Sequence, residues 1–168
     1  ILYLAALGAA LPCDEGETFF CPKDPMQRED LAAFMVRVLD LPPASTDYFS
    51  DDDGLTYEAD INALAQAGIT KGCNPPVNDR FCPDKTVTRG QTAAFIVRAW
   101  KLVEDGGGAG FTDTTTSVFV KDIDRLAYVG ITKGCNPPDN DLFCPDRLQT
   151  RGEMSSFLAR AHRNLDLP

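Results

Sequence analysis

An all-α fold of three helix-loop-helix repeats is predicted for this 168-residue chain by three features. The first is an internal repeat. GITKGCNPPVNDRFCPD (68–84) returns as GITKGCNPPDNDLFCPD (130–146), identical at 15 of 17 positions. The second is helical spacing of apolar residues on either side of that stretch. The third is the placing of six cysteines as three close pairs, one for each repeat.

The register follows from matching residues. Phe49, Cys73, Cys82 and Arg89 recur as Phe111, Cys135, Cys144 and Arg151, each 62 residues later. One step earlier, Cys21 precedes Arg28 as Cys82 precedes Arg89, with one residue deleted between Cys13 and Cys21. Gly8 then falls opposite Gly68, and ILYLAALG (1–8) opposite the helix INALAQAG (61–68). The apolar N-terminus is therefore read as a helix of a mature repeat and not as a signal peptide. The same register predicts that the chain starts partway through its first repeat and that the complete protein extends further N-terminally.

Each remaining element has its own signal. MQREDLAAFMVRVL (26–39) is the second helix of repeat 1, with Gln27 at its cap, and LPPASTD (41–47) links it onward. In repeat 2, YEADINALAQAG (57–68) puts Ile61, Leu64 and Ala65 on one face, and Gly68 stands where a C-terminal cap belongs. VTRGQTAAFIVRAW (87–100) opens on Thr88 and Gln91, a capping-box pair, and presents Phe95, Ile96 and Ala99. VEDGGGAG (103–110) is a flexible linker by composition. Repeat 3 gives FVKDIDRLAYVG (119–130), with Ile123, Leu126 and Ala127 apolar and Gly130 as the cap. LQTRGEMSSFLARAH (148–162) follows, with Thr150 and Glu153 as the box and Phe157, Leu158 and Ala161 as the face. The repeats thus span 1–41, 48–102 and 110–168. A two-helix unit cannot bury its apolar face alone, so the three pack into one bundle with approximate threefold symmetry and three similar grooves.

Composition bounds the function. A hydrophobic content of 43% supports a packed core, and a net charge of −9 argues against sequence-independent nucleic-acid binding, which needs basic surface. No segment is long enough to span a membrane. Regular cysteine pairing implies the disulfides Cys13–Cys21, Cys73–Cys82 and Cys135–Cys144 and an oxidising, extracellular setting. The wide gaps and the single histidine, His162, disfavour zinc. Each closed loop contributes about 2–3 kcal/mol.

One constellation breaks a local rule. Arg28, Arg89 and Arg151 occupy the first turns of the second helices, where the helix dipole disfavours cations. Arginine beside free N–H groups makes a site for carboxylate or phosphate. A salt bridge to Asp24, Asp84 or Asp146 accounts for the same residues, and both readings stay open. Lys71 and Lys133 either join the arginines or are solvated. Tyr57 and Phe119 either pack, as most aromatics on helices do, or line a groove where a sugar stacks. Phe49-Ser-Asp51 and Phe111-Thr-Asp113 read as packed rings followed by turn or cap residues. DDDG (51–54) is similar to a calcium loop, but an EF-hand register puts Phe49 at the first ligand position, and TDTTTS (112–117) has one carboxylate. Calcium is discounted there, and no metal, cofactor or catalytic centre is expected.

These motifs resemble the S-layer homology family. Its pattern of F-x-D, an aromatic near the first helix, G-I-x-x-G, F-x-P and T-R-A-E reads here as FSD (49–51), Tyr57, GITKG (68–72), FCP (81–83) and TRGQ (88–91). It recurs as FTD (111–113), Phe119, GITKG (130–134), FCP (143–145) and TRGE (150–153), and more weakly as FFCP (19–22) and QRED (27–30). The resemblance implies a three-pronged spindle around a central helical bundle, in a secreted protein of the bacterial cell surface. It implies non-catalytic anchoring to an anionic wall polysaccharide, pyruvylated polymers included, with Arg89, Arg151 and Arg28 taking the anionic group. The alternative is a structural module that assembles with itself or with other surface-layer proteins. Thiol titration of the denatured, unreduced protein is expected to find no reactive thiol; six would remove the disulfides.

Overall fold

The computed structural model describes residues 1–13, 16 and 18–165. The last three residues of the expected third repeat, 166–168, lie outside the described residues. Six α-helices are present: α1 (Leu2–Ala6), α2 (Arg28–Leu39), α3 (Glu58–Gln66), α4 (Arg89–Ala99), α5 (Val120–Tyr128) and α6 (Arg151–Asn164). Among the described residues there is no strand, only isolated bridges. The all-α class holds, and each helix lies within its expected segment except α6, which runs on to Asn164, two residues past the expected 148–162.

Capping explains where the helices begin and end. The Thr88 hydroxyl accepts the Gln91 N–H while the Gln91 side chain accepts the Thr88 N–H, and Thr150 and Glu153 repeat this box. Gln27 caps α2 without a side-chain bond. After α3, Gly68 turns left-handed (φ +72°), and Gly68 and Ile69 return their N–H groups to Ala65 and Leu64.

The repeats are not self-contained hairpins. The second helix of each packs against the first helix of the next: α2 on α3, α4 on α5, and α6 on α1. Tyr3 and His162 fasten the last pair, Oη to Nδ1 at 2.6 Å. The connecting loops are closed by the three expected disulfides, Cys13–Cys21, Cys73–Cys82 and Cys135–Cys144. In repeat 2 the loop folds back so tightly that a Cβ on Gly72 would lie 2.8 Å from the Arg80 carbonyl. The Asp51 carboxylate then accepts the N–H groups of Phe81 (2.6 Å) and Cys82 (2.9 Å), and Asp113 does the same for Phe143 (2.8 Å) and Cys144 (2.7 Å). Phe49 and Phe111 are buried against Phe81 and Phe143. The F-x-D stretches thus lock each loop to the opening of its own repeat.

At the centre the chain closes on itself. Met26, Val87 and Gln149 occupy one position of the repeat, two residues before the arginine. The Val87 N–H donates to Met26 (3.0 Å), Gln149 to Val87 (2.9 Å) and Met26 to Gln149 (2.8 Å), a closed cycle of backbone bonds. All three are fully buried, and the Gln149 amide leaves both its oxygen and its nitrogen without a partner. Such a group costs stability that an apolar side chain of similar size does not. Gln149→Met is therefore expected to raise stability by about 1–3 kcal/mol in urea denaturation; a loss would show that the amide is satisfied.

Candidate functional site

The three arginines are buried, at 7%, 2% and 3% exposure for Arg28, Arg89 and Arg151. Each crosses to the following repeat, and the third returns to the first. Arg28 Nε donates to the Phe81 carbonyl (2.8 Å), Arg89 Nε to Phe143 (2.9 Å) and Arg151 Nε to Phe20 (3.0 Å). Each guanidinium also lies between two rings: Arg28 over Phe81 and Phe95, Arg89 over Phe143 and Phe157, Arg151 over Phe20 and Phe34. These cation–π contacts, at 4.6–5.5 Å from the ring centroids, draw the F-x-P segment of one repeat onto the helix of its neighbour.

The helix N-termini are not open. The first two N–H groups of α2 donate to the Lys85 and Pro83 carbonyls, those of α4 to Arg147 and Pro145, and those of α6 to Asp24 and Pro22. The expectation of free N–H groups beside the arginine is corrected, because inter-repeat packing consumes them. The salt-bridge partners also differ from Asp24, Asp84 and Asp146. Arg151 pairs with Asp30, and Arg89 lies 3.7 Å from Glu153.

Asp30, Gln91 and Glu153 occupy one position, the third residue of the second helix, so each arginine faces the corresponding residue of the next repeat. Arg151 meets a carboxylate, and its Nη2 also donates to the Leu11 (2.6 Å) and Pro12 (3.2 Å) carbonyls. Arg89 meets Glu153, which simultaneously pairs with Arg147. Arg28 shares its groove with neutral Gln91 and has no ion pair among the described residues. Nη2 of Arg28 and of Arg89 is buried without a hydrogen-bond partner. Burial lowers both guanidinium pKa values to about 10; Asp51 opposes the fall at Arg28 and Glu153 at Arg89. Both arginines remain cationic at neutral pH.

The surroundings diverge in the same order. Arg28 opens into a groove of about 300 Å³ shared with Lys71, Lys85 and Arg98, with Thr70, Thr86 and Gln91 as polar lining and Phe119 as one wall. Four cations and, among the described residues, no carboxylate line it. The Arg151 groove, about 720 Å³, is lined by Asp24, Asp30, Gln27 and Tyr57. Tyr57 and Phe119 are therefore half-buried groove walls in equivalent places. A Cβ on Gly90 would lie 2.6 Å from the Phe119 ring, so glycine is what lets that wall close against α4. Lys133 repeats the exposed position of Lys71. Lys85 and Arg98 were not singled out in the sequence. The only signal was positional: Lys85 stands three residues after the second loop cysteine, where repeat 1 has Asp24 and repeat 3 has Arg147.

With that geometry in place, the comparison with known families is direct. Residues 48–93 match the S-layer homology domain. The match runs from just before FSD through TRGQ, so the S-layer homology segment contains Lys71, Lys85, Gln91 and the Asp51 clamp. The chain is similar to an endoglucanase of Bacillus sp. (strain KSM-635), 30% identical over 84% of this chain and 15% of that protein. It is similar to the S-layer protein sap of Bacillus anthracis, 27% identical over 97% of this chain and 20% of that protein. It is also similar to the surface-layer 125 kDa protein of Lysinibacillus sphaericus, 26% identical over 88% of this chain and 12% of that protein. The chain thus spans a fifth or less of each relative's length. No described helix is long and apolar enough to cross a membrane.

Removing a buried cation that has a carboxylate partner is more damaging than removing one that has none. Truncation to methionine is expected to destabilise in the order Arg151, Arg89, Arg28, with Arg151→Met losing about 3 kcal/mol in urea denaturation. Equal losses at all three would show that the carboxylate partners contribute nothing.

Proposed function

We propose that this chain is a non-catalytic module that anchors a secreted protein at the bacterial cell surface by binding an acidic wall polysaccharide. The S-layer homology match and the surface-layer relatives support the setting. The observation that carries the binding reading is the buried guanidinium of Arg28. It has an unpartnered Nη2, lies among Lys71, Lys85 and Arg98, and faces Gln91 where its counterparts face carboxylates.

Desolvated arginine is well suited to a carboxylate, because its planar fork donates two parallel hydrogen bonds. In this reading the acid group of the polymer, a pyruvyl ketal or a uronate, takes the place that Glu153 holds near Arg89 and Asp30 holds against Arg151. Lys71 and Lys85 supply the local field that a chain of net charge −9 otherwise lacks. Phe119 provides an apolar wall against which a sugar ring lies. The three arginines then form a graded series. Arg28 has no ion pair among the described residues, Arg89 is partly neutralised by Glu153, and Arg151 is paired with Asp30. Tyr57 and Lys133 belong to the two weaker members.

Co-sedimentation with purified acidic wall polysaccharide tests this, with polymer stripped of its acid groups as the control. Retention is expected to need the acid groups. Gln91→Glu, which gives Arg28 the neighbour that Arg89 already has, is expected to weaken binding about tenfold, a change of about 1.4 kcal/mol. Undiminished binding by folded Gln91→Glu and Arg28→Gln proteins would rule out the Arg28 groove.

A further inference from the structure

Repeat 1 keeps the scaffold of its fellows up to one place. Leu4 is fully buried, as Leu64 and Leu126 are. Its carbonyl accepts the next turn's N–H groups, from Ala9 and Ala10, as Leu64 accepts those of Ile69 and Thr70 and Leu126 those of Ile131 and Thr132. One turn earlier the repeats part. Ile1 is 48% exposed where Ile61 and Ile123 are 0% exposed. Phe20 is half-buried where Phe81 and Phe143 are fully buried, and Pro22 is exposed where Pro83 and Pro145 are buried.

In repeats 2 and 3 an F-x-D stretch lies at this place. Phe49 packs on Phe81 at 5.6 Å between ring centroids, and a Cβ on Gly72 would come within 3.2 Å of its Cε1 atom. Asp51 holds the Phe81 and Cys82 N–H groups, and Phe111 and Asp113 serve Phe143 and Cys144 in the same way. In repeat 1 the positions of Gly72 and Phe81 belong to Pro12 and Phe20. These two line an apolar groove of about 180 Å³ together with Ile1, Ala5 and Leu11. No carboxylate among the described residues accepts the N–H of Phe20 or of Cys21. The groove therefore offers a seat for a ring, with two donors for an acid next to it.

We propose that this groove is the docking site for an aromatic-x-aspartate segment of polypeptide joined N-terminally to Ile1. The aromatic ring seats between Ile1, Pro12 and Phe20, where burying apolar surface supplies most of the affinity. The carboxylate accepts the Phe20 and Cys21 N–H groups, a pair of charge-assisted bonds like those of Asp51 and Asp113. The spacing follows from the repeat, since Phe49 stands twelve residues before Ile61 and Phe111 twelve before Ile123. The docked ring therefore belongs twelve residues ahead of Ile1, with its aspartate two residues later. Docking completes the cover of Phe20, whose ring carries the Arg151 guanidinium and whose carbonyl accepts from it at 3.0 Å. The segment thus supports the closure of the last repeat on the first. The inference does not depend on glycan binding.

The test places a second copy of residues 49–60, FSDDDGLTYEAD, directly ahead of Ile1 of the whole chain, which sets the ring at the required spacing. Amide hydrogen exchange at Phe20 and Cys21, thermal unfolding and analytical ultracentrifugation are then compared with the parent chain. Both amides are expected to exchange at least about tenfold more slowly, with a higher Tm and an unchanged oligomeric state. The control graft, with Phe49→Ser and Asp51→Asn in the added copy alone, should match the parent. Equal exchange and equal Tm in the two grafts would overturn the site. Protection that appears only with formation of a larger oligomer would assign the groove to a second copy, and would overturn docking by a joined segment.

Discussion

The stacked arginine that passes from each repeat to the next is the interaction on which the rest of the structure depends. A pair of short helices closed by a ten-residue disulfide loop has too little apolar surface to hold itself together. The guanidinium resolves this by fixing two things together. Its Nε anchors the F-x-P carbonyl of the neighbouring repeat, and its planar face fills the space between two phenylalanine rings. The adjacent backbone then falls into register. Helix N-termini find carbonyl acceptors across the interface, and Met26, Val87 and Gln149 close their cycle. The disulfides and the Asp51 and Asp113 clamps work upstream of this, by giving the F-x-P segment the one shape that presents its carbonyl.

In the proposed reading, that arrangement also sets what the grooves bind. Three equivalent cations are buried, yet one position on the following helix decides how much of their charge stays available. Aspartate there pairs with Arg151, glutamate partly neutralises Arg89, and glutamine leaves Arg28 without an ion pair among the described residues, its charge offset only from Asp51. A structural stitch and a binding group are therefore not competing descriptions of these residues. The Nε side of the guanidinium holds the fold, and in the proposed reading the Nη side of Arg28, which has no ion pair among the described residues, meets an acid group from outside.

Much of the fold was legible in the sequence because it rests on local rules. The 62-residue register, the apolar faces, the Thr88 and Thr150 capping boxes, the Gly68 turn and the cysteine pairs all depend on residues close in the chain. The inter-repeat exchange was not legible. Periodicity shows that α2 has an apolar face but not that α3, instead of α1, covers it. The candidate site is named by residue in the sequence, but its environment differs from the expectation. Arg28, Arg89 and Arg151 were singled out correctly as unusual, but their free N–H groups are consumed by carbonyls more than 50 residues away. Lys85 and Arg98 carry only positional signals in the sequence, and the groove alone brings them together.

The side-chain Nε–H resonances of Arg28, Arg89 and Arg151 report directly on both halves of this account. Buried and bonded to a carbonyl, all three should give sharp, slowly exchanging signals in the free protein. On titration with acidic wall polysaccharide, Arg28 should shift most, Arg89 less, and Arg151 should stay in place. Rapid exchange at all three in the free protein, or a shift at Arg151 with Arg28 unmoved, would contradict it.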